Sequence, residues 1–263
     1  FGESFAGSYV PWITTELLNS KPAVINLPGM AIGDGTVDML ANWETTADYA
    51  FQRGLISQSE REFALNNLLP ACREQVLKYR QTNVFMSPVY CQIMEDFLLR
   101  AANVQNVYDY REERQYAFDV AACYLNKPQV QKALGVDRTW SQDNETVFSN
   151  LTNQADKPTV CEIQDIIKKI RVLIYTGNQD FLINYLGTEK WFSEMTQGKY
   201  TSCNNIITMS TEIPWIAGQE TAGTIRKNSS GDLWFVKIDN AGHLVPKNQP
   251  RAAKYLLEQF LGL

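Results

Sequence analysis

The sequence predicts an α/β fold, a mainly parallel sheet with an incomplete edge and a large, mainly helical insertion. Three observations predict it. Short apolar, strand-like runs occur near both ends of the chain, at Ala23 to Ile32, Arg171 to Tyr175 and Leu233 to Ile238, with helical patterns between them. The span from about Val37 to Asp156 carries long helical patterns and no buried-strand run. Third, Gly2-Glu3-Ser4-Phe5-Ala6-Gly7 has the small neighbours that a tight strand-to-helix turn needs around a serine.

Taken in order, the serine turn leads into an amphipathic helix over Tyr9 to Leu18, with Pro11 in its first turn and Asn19-Ser20-Lys21-Pro22 ending it. Ala23 to Ile32 reads as a strand with a bend at Pro28-Gly29, stopped by Gly33-Asp34-Gly35. Helices are expected over Met39 to Gly54, Ser57 to Leu69, Cys72 to Arg80 and Cys91 to Ala102. Ser57 and Glu60 have the spacing of a capping box. Pro128 sits where a proline can open a short helix through Leu134. Asp137 to Pro158 is polar and loop-like.

Sheet character returns at Arg171 to Tyr175, and Thr176 to Asp180 ends that strand. A helix over Ile183 to Met195 follows, then a turn or hairpin around Trp215, Gly218 and Gly223. The strand Leu233 to Ile238 ends in Asp239-Asn240-Ala241-Gly242-His243, and Gln249 to Leu263 is a closing amphipathic helix. The expected division is a core over 1–38, a helical cap over 39–156 and a second core part over 157–263.

At 263 residues the chain can bury a sizeable core. Its net charge of −5 argues against nucleic acid or an anionic membrane surface as partner. No apolar run approaches the roughly 18 residues that span a bilayer. The five cysteines show no Cys-x-x-Cys spacing, so no metal site is expected and none of them is assigned to one. Sequons at Asn144, Asn150 and Asn228 lie in polar stretches and, with the cysteines, point to a secretory-pathway glycoprotein. Five is odd, which leaves either a free thiol or a partner elsewhere.

Three residues form a catalytic constellation. Ser4, Asp180 and His243 each stand at or just after the end of an expected strand, where open α/β sheets gather their functional groups. His243 is the only histidine in the chain. Serine is a poor nucleophile at its own pKa, imidazole can take its proton, and a buried carboxylate fixes the imidazole tautomer. The order Ser, Asp, His is that of the α/β-hydrolases. Only three residues precede Ser4, although such an elbow follows a strand, so the chain is expected to begin inside a longer fold.

These residues sit in blocks that resemble the serine carboxypeptidases, α/β-hydrolase exopeptidases of lysosomes and vacuoles. The elbow pattern of that family, Gly-Glu-Ser-(Tyr/Phe)-Ala-Gly-x-Tyr-(Val/Ile)-Pro, is matched across Gly2 to Pro11. Its Ile-Gly-(Asn/Asp)-Gly strand end is similar to Ile32-Gly33-Asp34-Gly35. Tyr175 to Asp180, with Asn184 to Thr188 and Trp191, resembles the segment of the catalytic aspartate, and Ala241 to Pro246 with Gln249-Pro250 that of the histidine.

The resemblance implies Ser4 as nucleophile, His243 as base and then acid, and Asp180 as its orienter. It implies the Phe5 amide as one oxyanion donor and Glu3 as a binder of the substrate carboxylate, active at acidic pH. It implies no cofactor, peptide C-termini as substrate, and a lysosomal, vacuolar or secreted location. The family's Asn-Gly-Gly-Pro-Gly loop and second glutamate are missing, so an N-terminal segment or chain is expected to complete the sheet and oxyanion hole, and the isolated 263 residues are expected to be inactive. Ile183 stands where the family often has cysteine, and the family's disulfides do not map onto these cysteines. Two alternatives stay open: an acyltransferase of the same fold, and an inactive fragment or binding module.

Overall fold

The computed structural model describes residues 1–20, 25–82, 88–116, 119–147, 151 and 157–263. Its centre is a six-stranded sheet, built from β1 (Gly2–Glu3), β2 (Gly29–Gly33), β3 (Arg171–Gly177), β4 (Ile213–Ala217), β5 (Glu220–Lys227) and β6 (Leu233–Ile238). The spatial order is β1-β2-β3-β6-β5-β4. The first four of these neighbours are parallel, with Gly2 opposite Ile32, Ile32 opposite Ile174 and Ile174 opposite Phe235. β5 and β4 then extend the sheet antiparallel.

Parallel strands covered on both faces read as continuous apolar runs, and their period of two separates the layers. Val172, Ile174 and Phe235 face one side, where α8 (Val160–Ile167) and α9 (Tyr185–Thr196) bury Ile163, Trp191 and Phe192. Leu173, Tyr175 and Val236 face the other, against Leu256 and Phe260 of α11 (Pro250–Leu261). A short helix, α10 (Val245–Asn248), precedes α11.

The first helix, α1 (Ala6–Ser20), starts three residues earlier than its periodicity predicts. The reason is the elbow, whose turn closes at once through Gly7 N–H to Ser4 O at 2.9 Å. Pro11 therefore lies in the second turn, where its missing N–H leaves the Gly7 carbonyl without its helical donor. The buried Thr159 hydroxyl donates to that carbonyl instead, at 2.6 Å. The expected strand over Ala23 to Ile32 is shorter than its apolar run, because pairing starts only after Pro28, which has no ladder donor; Ala23 and Val24 lie outside the described residues.

Between β2 and α8 the described residues form helices and turns. They are α2 (Met39–Gln52), α3 (Gln58–Phe63), α4 (Leu69–Thr82), α5 (Val89–Ala101), α6 (Asp119–Leu125) and α7 (Pro128–Leu134). The Ser57–Glu60 capping box is present, and Pro128 opens α7. The two helices expected on either side of Pro70 run together, joined by a π-helical turn at Ala64–Leu68. There Leu69 N–H reaches back five residues to Ala64 O, which carries the helix past a proline that cannot donate. Trp43, Tyr49, Val76, Met94 and Leu98 form a core of their own in this layer.

Two disulfides staple the structure. Cys72–Cys91 joins α4 to α5, and Cys161–Cys203 joins α8 to the segment after α9. Cys123 on α6 is free and exposed. Around Trp215 the expected turn or hairpin is a hairpin, β4 and β5, with Gly218 at φ +72°.

Candidate active site

The site lies along the carboxyl ends of the four parallel strands. Ser4 follows β1, Asp34 follows β2, Asp180 follows β3 and His243 follows β6. Because the strands run the same way, residues distant in sequence arrive on one edge of the sheet.

Ser4 has φ +63°, the left-handed conformation that a β-carbon normally disfavours. The strain is held by hydrogen bonds on both sides: Ser4 N–H donates to Gly33 O at 3.0 Å, and Ser4 O accepts from Gly7 N and Thr36 N at 2.9 Å each. Small residues permit this closeness. A β-carbon on Gly2 would lie 2.5 Å from the Ala6 β-carbon, and one on Gly7 would lie 2.5 Å from Thr36 N. The helix thus passes so near the strands that only glycine fits at Gly7. Phe5 N–H, at the entry to α1, donates to no backbone carbonyl among the described residues.

Asp180 is fully buried and His243 is 1% exposed. His243 Nδ1 and Asp180 Oδ2 are hydrogen-bonded at 2.7 Å. The other oxygen of Asp180 accepts from Leu182 N at 2.8 Å and Ile183 N at 3.1 Å, so the carboxylate is clamped by its own turn. Phe181 anchors that turn in the helical layer, edge-on to Tyr49 at 6.0 Å. Asn184 caps α9 and is tied to Asn42 of α2, whose amide nitrogen donates to Leu182 O at 2.9 Å.

His243 N–H donates to Tyr108 O at 2.6 Å, and the two rings stack with centroids 5.1 Å apart. Burial disfavours the imidazolium, but the charge and hydrogen bond of Asp180, with a lesser contribution from the charge of Glu3, overcome it and raise the His243 pKa. His243 Nε2 is buried and has no hydrogen-bond partner among the described residues. The structure therefore joins Asp180 to His243 and sets Ser4 on the same edge, without a hydrogen bond from Ser4 to the imidazole.

Glu3 precedes Ser4 on β1, half-buried, with one carboxyl oxygen buried and without a hydrogen-bond partner among the described residues. Burial raises its pKa against the pull of His243. Beside it opens a cavity of about 560 Å³, lined by Phe1, Tyr175, Val245, Pro250, Leu256 and others. Asn144 is exposed and accepts from Val147 N, and Asn228 sits in a turn with its amide donating to Ser230 Oγ at 2.9 Å. Asn150 lies outside the described residues.

Comparison with known proteins decides the family. The model of the serine carboxypeptidase family matches residues 1–262. This chain belongs to the serine carboxypeptidase family. It is 31% identical to a serine carboxypeptidase-like protein of Pisum sativum, over 98% of this chain and 93% of that protein. It is 33% identical to carboxypeptidase Y homolog A of Botryotinia fuckeliana, over 99% of this chain and 50% of that protein. Apart from the pea protein, it spans about half the length of the curated relatives it matches. In fold it is similar to Kex1, a prohormone-processing carboxypeptidase from Saccharomyces cerevisiae, with a TM-score of 0.74 at 19% identity, over 99% of this chain and 61% of that one. The fold is the α/β-hydrolase fold expected from the sequence.

Sequence reasoning missed Tyr108, which holds His243 through both backbone and ring. Tyr108 lies on a loop within the helical span, far in sequence from any strand, and had no signal of the kind that marks Asp180. It also missed Asn42, a helix residue whose role appears only where α2 meets the Asp180 turn.

Proposed function

We propose that the protein is a serine-type carboxypeptidase that releases C-terminal residues through an acyl-enzyme. The observation that carries this reading is the buried 2.7 Å pair of His243 Nδ1 and Asp180 Oδ2, on the edge where Ser4 stands strained at φ +63°. Ser4 Oγ attacks the last peptide carbonyl while His243 Nε2 takes its proton. Asp180 holds Nδ1 protonated, so that Nε2 is free to accept. Phe5 N–H donates to the oxyanion. The leaving amino acid then takes the proton from Nε2, and water activated the same way releases the shortened peptide.

Glu3 binds the carboxylate of the substrate. A carboxyl raised by burial keeps its proton at acidic pH and can donate to that anion, which favours acidic operation. The second partner is a further segment or chain that pairs with β1, the edge strand of the sheet, and covers exposed Phe1 and the apolar cavity beside Glu3. Such a segment supplies the rest of the oxyanion hole, so the 263 residues alone are inactive. The helical span 39–156 acts as a cap on the core parts 1–38 and 157–263. The two disulfides support an oxidising route, to lysosome, vacuole or exterior, with glycans on exposed Asn144 and on Asn228.

The test is fluorophosphonate labelling of the full-length protein, with turnover of a blocked dipeptide. The adduct is expected on Ser4, with turnover lost in Ser4→Ala. An adduct elsewhere, or activity surviving that substitution, refutes the mechanism.

A further inference from the structure

The segment Asn106 to Arg111, between α5 and α6, bonds to both loops that carry Asp180 and His243, and it does so through neighbouring residues. Val107 O accepts from Phe181 N at 3.1 Å and shares Leu182 N, at 3.0 Å, with the Asp180 carboxylate. Tyr110 N donates to Gln179 O at 3.3 Å, on the other side of Asp180. Between these contacts, Tyr108 O takes the His243 N–H at 2.6 Å. Gly242 permits that approach, since a β-carbon there would lie 2.3 Å from Tyr108 O and 2.7 Å from the Asp109 β-carbon. Two consecutive carbonyls thus fix the spacing of the aspartate and histidine loops.

A short irregular segment keeps no such shape unaided, and side chains hold this one. Asn106 and Asp109 are fully buried. Asn106 Oδ1 accepts from Tyr108 N at 3.0 Å, and its amide nitrogen donates to Arg114 O at 2.9 Å, which closes the segment on itself. Arg111 grips Asp109 with both arms of its fork, Nε to Oδ1 at 2.8 Å and a terminal nitrogen to Oδ2 at 2.6 Å. The same terminal nitrogen reaches Asn240 O at 3.2 Å, three residues before His243. An ordinary surface ion pair has both partners in water and ties nothing further together. Here the carboxylate is 0% exposed and the guanidinium bridges to another loop.

We propose that Arg111 is a positioning residue for His243: its fork on Asp109 sets the shape of segment 106–111, and its bond to Asn240 locks that segment to the histidine loop, so that the imidazole meets Asp180 in register. The proposal rests on the carboxypeptidase reading, in which Asp180 and His243 act as a pair. Arg111 works at a distance, because its hydrogen bonds go to Asp109 and Asn240 and not to Asp180 or His243. Its effect falls on the rate of each active molecule rather than on affinity. A misplaced base slows proton transfer while the substrate-binding surface stays where it is.

Arg111→Ala in the full-length protein tests it, with kcat for a blocked dipeptide divided by the number of sites that a fluorophosphonate titrates. That per-site kcat is expected to fall about 10- to 100-fold, the scale of a roughly 1 Å misplacement, with KM within about two-fold of wild type. A merely structural role would lose titratable sites and leave the survivors at the wild-type kcat. That result overturns the proposal, as does a raised KM at unchanged kcat. Arg111→Lys keeps the charge but has no fork to hold Asp109 and Asn240 together, so it should recover only part of the loss. Should Arg111→Ala fail to fold because Asp109 is left buried and unpaired, Arg111→Lys decides, and a wild-type per-site kcat in it refutes the role. Backbone hydrogen exchange gives a readout free of activity. In Arg111→Ala, or in Arg111→Lys if only that folds, the His243 and Phe181 amides should lose protection together, because they bond to adjacent carbonyls. Loss at neither, or at one alone, also refutes it. Fluorophosphonate labelling of wild type keeps the two readings apart. No adduct on Ser4 sinks the carboxypeptidase reading, while the exchange data still decide whether Arg111 joins the two loops.

Discussion

Exchanging Asp180 for asparagine isolates the part of the site that depends on one proton. The new amide oxygen would accept from Leu182 N and Ile183 N as Oδ1 of Asp180 does, at 2.8 and 3.1 Å, so the turn is retained. The new amide nitrogen would then face His243 Nδ1, 2.7 Å from it, where the carboxylate oxygen stood. Two N–H donors cannot face each other, so the imidazole must put its proton on Nε2, and Nε2 can no longer accept the Ser4 proton. In the worked case of a Ser-His-Asp protease the same exchange lowers kcat about 10⁴-fold. The expectation here is a fall of about 10³ to 10⁴, or roughly 4 to 5.5 kcal/mol in the barrier. Removing the charge also leaves burial as the dominant influence on His243, so its raised pKa should drop below the ordinary 6.5. Turnover of a blocked dipeptide by the full-length variant reads the first effect. Nitrogen NMR of labelled histidine in the 263-residue chain reads the second cleanly, because His243 is its only histidine. A variant that keeps a tenth of the wild-type kcat, or whose imidazole still carries its proton on Nδ1, refutes the reasoning.

Three further outcomes follow from the packing. Gly7→Val forces a β-carbon to within 2.5 Å of Thr36 N, so α1 must move off β2; activity should be lost and stability should fall by about 2 kcal/mol or more in denaturant titration, and a neutral result would mean the elbow is looser than described. Replacing the Cys72–Cys91 pair by alanines frees a loop of 19 residues and should cost about 3 kcal/mol, against about 4 for Cys161–Cys203 with its 42, both read by guanidinium unfolding; losses under about 1 kcal/mol would contradict the assignment of these bonds. Glu3→Gln removes a carboxyl raised by burial, and since such a group loses its contribution as pH rises through its folded pKa, the variant should gain in melting temperature over wild type from acid toward neutral pH.

The sheet and the strand-end placement of Ser4, Asp180 and His243 were legible because each rests on a local signal. Val172 to Ile174 and Leu233 to Val236 are apolar on both faces, which only a covered parallel strand requires, and Asp180 and His243 follow such strands directly. Ser4 was marked by its small neighbours. Helix limits were less legible where another part of the chain satisfies a backbone group. Pro11 lies mid-helix because Thr159, far away in sequence, donates to the carbonyl that the proline orphans. Pro70 reads as a break because the π-turn that absorbs it has no sequence signature of its own. Asn42 and Tyr108 were invisible for the same reason, since their partners Leu182 and His243 lie on other elements.

Those two residues change how the helical span should be viewed. Asn42 on α2 donates to Leu182 O, Phe181 is buried among the helices, and the Tyr108 carbonyl receives the His243 N–H. The two loops that carry the carboxylate and the imidazole are thus fixed from above by the helical span as well as from below by β3 and β6. Loops at strand ends are ordinarily the mobile part of an α/β sheet, and a 2.7 Å pair between two of them requires both to be held. The core strands bring Asp180 and His243 to one edge, but the register between their loops is set by Asn42 and Tyr108. Changes in the helical span, even at residues that touch no substrate, should therefore reach the rate through the Asp180–His243 geometry before they reach it through specificity.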